Sequence, residues 1–159
     1  MTETSDRDKL VELMRDMPIA MLTTFGGSGI RSVPMARQEV EPDAELWFIA
    51  DRTGRHVADI LAEPRVALTF SSRDAWVALT GRAEVVDDDA KLAELWNTFA
   101  EAWLPGGPDN PDATLLRVDV DEAEYWDTPG GKVASLISFA KTKLTGDTYD
   151  ADHAVVKDA

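Results

Sequence analysis

The feature that most limits what this chain can fold into is the change of hydrophobic period at residue 53. Before it, residues 19–25, 30–40 and 45–50 read as three β-strands, joined by Gly26-Gly-Ser-Gly29 and by Pro42-Asp43. Connections this short make antiparallel hairpins. From Thr53 to Glu63 the spacing turns helical, with Val57, Ile60 and Leu61 on one face and Pro64 just beyond the end. Residues 65–71 and 76–86 then return to strand patterning around an Arg73-Asp74 turn. One helix inserted into a run of hairpins is not the regular alternation that a parallel α/β sheet needs. It predicts a mainly β, α+β protein: a small antiparallel β-barrel of six to seven strands with flanking helices.

The rest of the chain completes this plan. Leu10, Leu13, Met14 and Met17 fall at i, i+3, i+4, i+7 in a helix over residues 6–17, which Pro18 ends. Asp87-Asp-Asp89 predicts the cap of another helix, where acids suit the positive end of the dipole. Its apolar face is Leu92, Leu95, Trp96, Phe99 and Trp103. Residues 105–111, with prolines at 105, 108 and 111, predict a loop. Residues 114–120 and 123–126 read as a final strand pair. The barrel domain is expected over residues 1–132. Residues 133–159 form a C-terminal extension, helical over 135–144, then acidic and loose.

Composition excludes several classes of function. A chain of 159 residues buries roughly 68–70% of its unfolded surface, enough for a proper core. It has no cysteine, which rules out disulfides, thiol chemistry and cysteine-ligated zinc. Two histidines, His56 and His153, do not build a histidine-rich metal site, so no metal is expected. No apolar run approaches the ~20 residues needed to cross a bilayer. Residues 1–15 have no apolar stretch of the kind a signal peptide needs. These features read as a cytoplasmic globular protein.

A net charge of −14 repels nucleic acid and anionic membranes, so neither is an expected partner. The charge is uneven. Residues 18–82 hold seven arginines, no lysine and eight acids, a net of −1, so the remainder carries −13. An anionic small ligand is tolerated best in that arginine-only segment, because the planar guanidinium donates two parallel hydrogen bonds to phosphate. Solvated barrel surface would account for the same arginines.

Two glycine motifs read as turns. Gly27-Ser-Gly29 lacks the third glycine of a dinucleotide fingerprint and precedes a strand, not a helix. Gly130-Gly-Lys132 is followed by Val133, where a P-loop needs Ser or Thr. His56 is the one histidine within the folded core, so no nucleophile–histidine–acid set is assembled. The helix opening near Thr53-Gly54 is more informative. Its first N–H groups lack partners within the helix and suit an anion. Arg55 and His56 stand in that first turn, where positive charge opposes the macrodipole unless an anion is bound. Arg31 opens the strand that precedes it by one hairpin. Trp76 and Trp126 stand at strand ends, where an aromatic can flank a flat heteroaromatic ring or simply pack an edge.

Taken in order, Arg31-Ser-Val-Pro-Met35, residues 48–60, Gly81-Arg-Ala-Glu-Val-Val86, Trp103-Leu-Pro-Gly-Gly-Pro-Asp109 and Ala123-Glu-Tyr-Trp-Asp127 resemble one known family. This is the pyridoxamine 5′-phosphate oxidase-like family of FMN-binding split barrels, specifically its bacterial general stress protein branch. The resemblance runs from about Leu10 to Lys132. It implies a homodimer with FMN in clefts at the subunit interface, acting with a small-molecule redox substrate. It further implies that Arg31, Ser32 and Val33 line the FMN site and that Ile49 and Ala50 offer backbone to the flavin. Arg55 and His56 take the positions of the basic residues on the phosphate. Trp76 stands where the oxidase proper has a glutamine near the flavin, and Trp126 matches a tryptophan beside the cofactor. The oxidase proper carries Arg-Leu-His-x-Arg soon afterwards, where this chain has Gly130-Gly-Lys-Val-Ala134. Vitamin B6 oxidation is therefore not the expected activity. Three possibilities follow: an FMN-dependent oxidoreductase, a non-catalytic flavin-binding stress protein, or a split barrel that has lost FMN and binds another cofactor or none. No residue type in the sequence marks a dedicated catalytic acid or base.

Overall fold

Alternating burial along each strand shows how the sequence builds one curled sheet. In β1 (Ile19–Thr24), Ala20, Leu22 and Thr24 face inward while Ile19 and Met21 face out. The same period runs through β2 (Arg31–Ala36), β4 (Arg65–Ser71) and β5 (Ala75–Val86). β3 (Glu45–Asp51) is covered on both faces and carries Leu46, Trp47 and Phe48 in succession. The remaining strands are β6 (Ala113–Asp127) and β7 (Asp152–Lys157); the helices are α1 (Asp6–Arg15), α2 (Arg55–Ala62), α3 (Asp89–Leu95) and α4 (Thr98–Trp103). The structure is a computed structural model and describes residues 6–27, 29–38, 45–127 and 152–157. No described helix is long and apolar enough to cross a membrane.

All pairings are antiparallel, in the order β2-β1-β4-β5-β6-β3, with β7 also paired to β6. The ends of this path, β2 and β3, come back together. Among the described residues they meet in one bridge, Arg37 with Phe48, beside which the Gln38 N–H donates to the Trp47 carbonyl at 2.9 Å. Beyond that point the two edges separate, and the barrel is split. Pro34 lies on the β2 edge. The Arg37 N–H points to β1, donating to the Pro18 carbonyl at 2.9 Å, and the Gln38 N–H points to β3. Strand alternation therefore aims positions 36, 34 and 32 at the gap, and proline at 34 has no N–H to offer.

The main core fills the barrel with Leu22, Leu68, Phe70, Val77, Phe48 and Leu116, closed by Leu10, Met14 and Met17 of the α1 segment and by Val57 and Ile60 of α2. A second cluster on the outer side of β3 packs Trp47 and Leu115 beneath Leu92 and Leu104. The α+β antiparallel barrel read from the sequence is the observed fold.

Several local expectations are corrected. Residues 114–120 and 123–126 are one continuous strand, β6, not a pair. Its register against β5 slips between Thr80 and Gly81, where Thr80 pairs with Glu122 and Gly81 with Val120, leaving Asp121 as a bulge. That one-residue slip looks like a chain break in the hydrophobic pattern. The helix expected across Leu92 to Trp103 is two helices. Trp96 is extended with ψ 136°, and Asn97 starts α4 by accepting from the Ala100 N–H at 3.0 Å. On α2, Leu61 is 72% exposed and Asp59 takes a buried place instead. The tail expected to be loose contains β7, which pairs with residues 122–127 of β6, beyond the stretch that β3 covers. The helix expected over 135–144 and the segment Gly130–Ala134 lie outside the described residues.

Gly81 sits against backbone at the bulge: a Cβ there would collide with the Asp119 carbonyl. Gly81→Ala should lower unfolding free energy by about 1–3 kcal/mol, the usual cost of forcing a backbone shift in a packed site. Urea unfolding of the variant checks this, and unchanged stability would show that the bulge relaxes freely.

Candidate functional site

The gap between β2 and β3 opens into a cleft of about 420 Å³, within the range of small-ligand sites. Its β2 wall is Val33-Pro34-Met35-Ala36, and its β3 wall is Ile49-Ala50-Asp51. His56 of α2 closes one end, while Phe99, Ala100, Trp103 and Leu104 of the α4 segment form the facing side. The lining is mostly apolar. Trp103, 75% exposed, and Phe99 stand at the mouth with ring centroids 6.4 Å apart. α4 is held over the cleft by Asn97, whose Nδ2 donates to the Gln38 Oε1 at 2.8 Å.

α2 begins at Gly54 with no side-chain cap and no acid in its first turn. The chain enters it through a turn in which Asp51 Oδ1 accepts from Thr53 N–H at 2.8 Å and from Thr53 Oγ1 at 2.7 Å. These bonds hold the Asp51 carboxyl below the usual carboxylate range. His56 is pushed the other way: burial disfavours its cation and lowers its pKa, and the charges of Asp51 and Asp59 only partly oppose this. Its Nε2 is buried without a hydrogen-bond partner. The imidazole is therefore a neutral wall group at neutral pH, not a second positive charge.

The sequence-derived candidates separate into three places. Val33, Ile49, Ala50 and His56 line the cleft together. Arg31 and Ser32 lie further along β2, outside its lining. Arg31 Nε donates to the buried Asp59 Oδ2 at 3.2 Å, and Ser32 Oγ is 2.7 Å from Thr23 Oγ1 across the hairpin. Arg55 is exposed in the first turn of α2. Trp76 and Trp126 are elsewhere, paired in register on the outer face of β5 and β6. Trp76 is 45% exposed. That same outer face carries Met21 and Ile19 on β1, the latter at the cleft, with the polar Thr69 and Ser71 of β4 between them and the tryptophan pair.

Sequence reasoning missed Asp51, Asp59, Gln38 and the α4 wall. Asp51-Arg-Thr53 is a recognisable acid-before-threonine turn signal, and Asp59 stands four residues after Arg55, the spacing of a helix pair. Nothing in the sequence pointed Phe99 and Trp103 at β2.

A profile of the family described as pyridoxamine 5′-phosphate oxidase like matches residues 5–150. No curated protein sequence matches the chain. Among solved structures, a candidate general stress protein 26 from Jannaschia sp. CCS1 is similar at 27% identity, with a TM-score of 0.76 over 94% of this chain and 96% of that one. A general stress FMN/FAD binding protein from Xanthomonas citri is similar at 27% identity and TM-score 0.68, covering 76% of this chain and 87% of its own. A Clostridium acetobutylicum protein related to general stress protein 26 is 26% identical with TM-score 0.68, over 77% of this chain and 91% of that one.

The depressed pKa of His56 has a signed consequence. The unfolded chain takes up this proton near the ordinary value of about 6.5 before the folded state does, so stability falls as pH drops through that region. His56→Gln should remove this component of the slope between about pH 7.5 and about pH 5.5. Urea midpoints across that interval measure it; an identical slope in both proteins would place the imidazole in water.

Proposed function

This chain belongs to the pyridoxamine 5′-phosphate oxidase-like family, and from that premise we propose that it is an FMN-binding flavoprotein of the general stress protein type, working as a flavin-dependent oxidoreductase. The supporting observation is the split in the barrel: an apolar cleft between two open strand edges that ends beside an uncapped helix N-terminus. The residues fit the two halves of FMN. Val33, Ile49 and Ala50 offer an apolar slot and unpaired strand edges for a flat polar-rimmed ring. The free N–H groups of α2, with Arg55 and Arg31 nearby, suit a phosphate monoester. When bound, the isoalloxazine supplies the electron transfer.

The chain's own groups then bind and orient. His56, neutral through burial, serves as a wall rather than a counter-ion, so Arg55 and Arg31 carry the charge of phosphate recognition. The exposed apolar face of Ile19, Met21 and Trp76 is proposed to be covered by a second copy. A two-fold contact presents each copy's surface to the other. Trp76 and Trp126 of one protomer would thereby flank the partner's cleft, as a homodimer with shared sites requires.

A second reading, a flavin-binding protein without turnover, is favoured by the two proton-carrying groups in the cleft wall. Asp51 is committed to Thr53, and Nε2 of His56 is buried. Anaerobic mixing of the flavin-loaded protein with a reduced nicotinamide separates the two readings. Rapid bleaching of the visible band supports an oxidoreductase, and a persistent band supports a store.

The purified protein, incubated with FMN and passed through gel filtration, should carry a yellow band that co-elutes with a dimer. Arg55→Ala should weaken FMN binding by about 1.5–3 kcal/mol, the range for hydrogen bonds to charged groups, or roughly 10- to 150-fold in Kd. A colourless wild-type dimer would overturn the FMN reading, and unchanged affinity would remove Arg55 from the site.

A further inference from the structure

Asp59 is a carboxylate on a helix whose other buried residues are Val57 and Ile60. Its side chain is 6% exposed, and a single oxygen, Oδ2, accepts from Thr24 Oγ1 at 2.9 Å and from Arg31 Nε at 3.2 Å. Thr24 and Arg31 are register partners across the β1–β2 hairpin, so one cross-strand pair feeds this one atom. The turn that joins the two strands also leans on the same helix residue: a Cβ on Gly26 would collide with the Asp59 backbone.

A buried ion pair is a poor way to stabilise a fold, because desolvation offsets most of the attraction. The form of this pair points to another use. Arg31 is engaged through Nε, one of the five N–H donors of a guanidinium, and not through the two-point fork that gives the strongest pairing with a carboxylate. Its side chain remains 34% exposed. A hold at the stem nitrogen restrains the group while its terminal nitrogens stay available to a second acceptor. Arg55 and Asp59 are four apart on α2 and therefore stack on one helix face. The tether thus holds Arg31 against a position of α2 that lies one turn after Arg55 on the same helix face.

We propose that Asp59 is a positioning residue that sets Arg31 beside Arg55, so that the two guanidinium groups grip a phosphate monoester at the start of α2. This rests on the FMN reading and deepens it. The ligand class becomes a flavin with a terminal phosphate, discriminated from the unphosphorylated flavin by the geometry of two arginines more than by their summed charge. Asp59 itself touches no ligand.

The test compares FMN and riboflavin, each titrated by flavin fluorescence quenching into the full chain. Wild type should prefer FMN by at least about tenfold, the size of one charge-assisted hydrogen bond. Asp59→Asn keeps the shape and an acceptor for Thr24, and should reduce that preference by roughly tenfold with riboflavin affinity unchanged. Arg31→Lys keeps the charge but has no Nε, and should show the same selective loss; it carries the test if Asp59→Asn does not melt cooperatively. Parallel loss of FMN and riboflavin would make Asp59 a merely structural residue, and an undiminished preference in both variants would overturn the proposal. If wild type binds no flavin, the function proposed above fails by itself, and phosphorus NMR of inorganic phosphate then decides this inference. Phosphate binding that Asp59→Asn abolishes would uphold the two-arginine grip, and no phosphate binding by wild type would sink it.

Discussion

Arg37 is the interaction on which the rest of this structure depends. It faces Phe48 at the bridge that brings the two ends of the sheet together, where the Gln38 N–H donates to the Trp47 carbonyl. Its guanidinium donates to carbonyl oxygens at and just beyond the end of α1, with Nε on Met14, which also accepts the Met17 N–H, at 2.8 Å and on Met17 at 3.1 Å, and Nη2 on Arg15 at 2.7 Å. A cation is well placed at a helix C-terminus, where the dipole is negative. One residue thus ties the helix that plugs the barrel to the seam that closes it. Burial depresses the Arg37 pKa, with Asp16 opposing, yet a guanidinium stays charged under any ordinary condition. Because closure is confined to this point, the strand edges beyond it diverge, and the cleft is what remains between them.

The cleft and the cations near it are two physically different surroundings. The slot itself is apolar, with α4 suspended over it through Asn97 and Gln38 next to the closure point. The cations stand outside the slot, Arg55 in the first turn of α2 and Arg31 on Asp59 one turn further along. In the proposed complex, the ring and the phosphate would therefore be served by different elements. Trp47, on the far side of β3, shows a related separation. Lys91 and Arg117 lie 5.3 and 6.0 Å from its ring, keeping cationic side chains at the aromatic surface and away from the cleft.

The fold was largely legible because strands announce themselves by period two and the inserted helix by its change of period. The sequence misled where a structural device breaks the period. The bulge at Asp121 shifted the pattern by one residue and made one long strand look like two. The extended Trp96 allowed apolar residues to continue in helical spacing across a real break, since the Asn97 cap is made by a side chain and not by a proline or glycine. On α2 the wheel favoured Leu61, but the partners waiting in space were Thr24 and Arg31, and polar partners decided which side of the helix was buried. For the candidate site, His56 was legible from the strand–turn–helix junction, whereas Val33, Ile49 and Ala50 were named through the family resemblance; all four line the one cleft. Phe99 and Trp103 were not, since their place in the cleft wall depends on Asn97 meeting Gln38, 59 residues away in sequence.

Pro34 gives the open seam a further meaning. A barrel with two unpaired strand edges is an invitation to add a foreign strand, the route by which β-proteins aggregate. Proline at the middle of the exposed β2 edge interrupts the row of donors that such a strand would need. The open seam is thus guarded against strand addition by a residue that offers no donor toward β3, so the cleft can stand open without becoming a template for fibres.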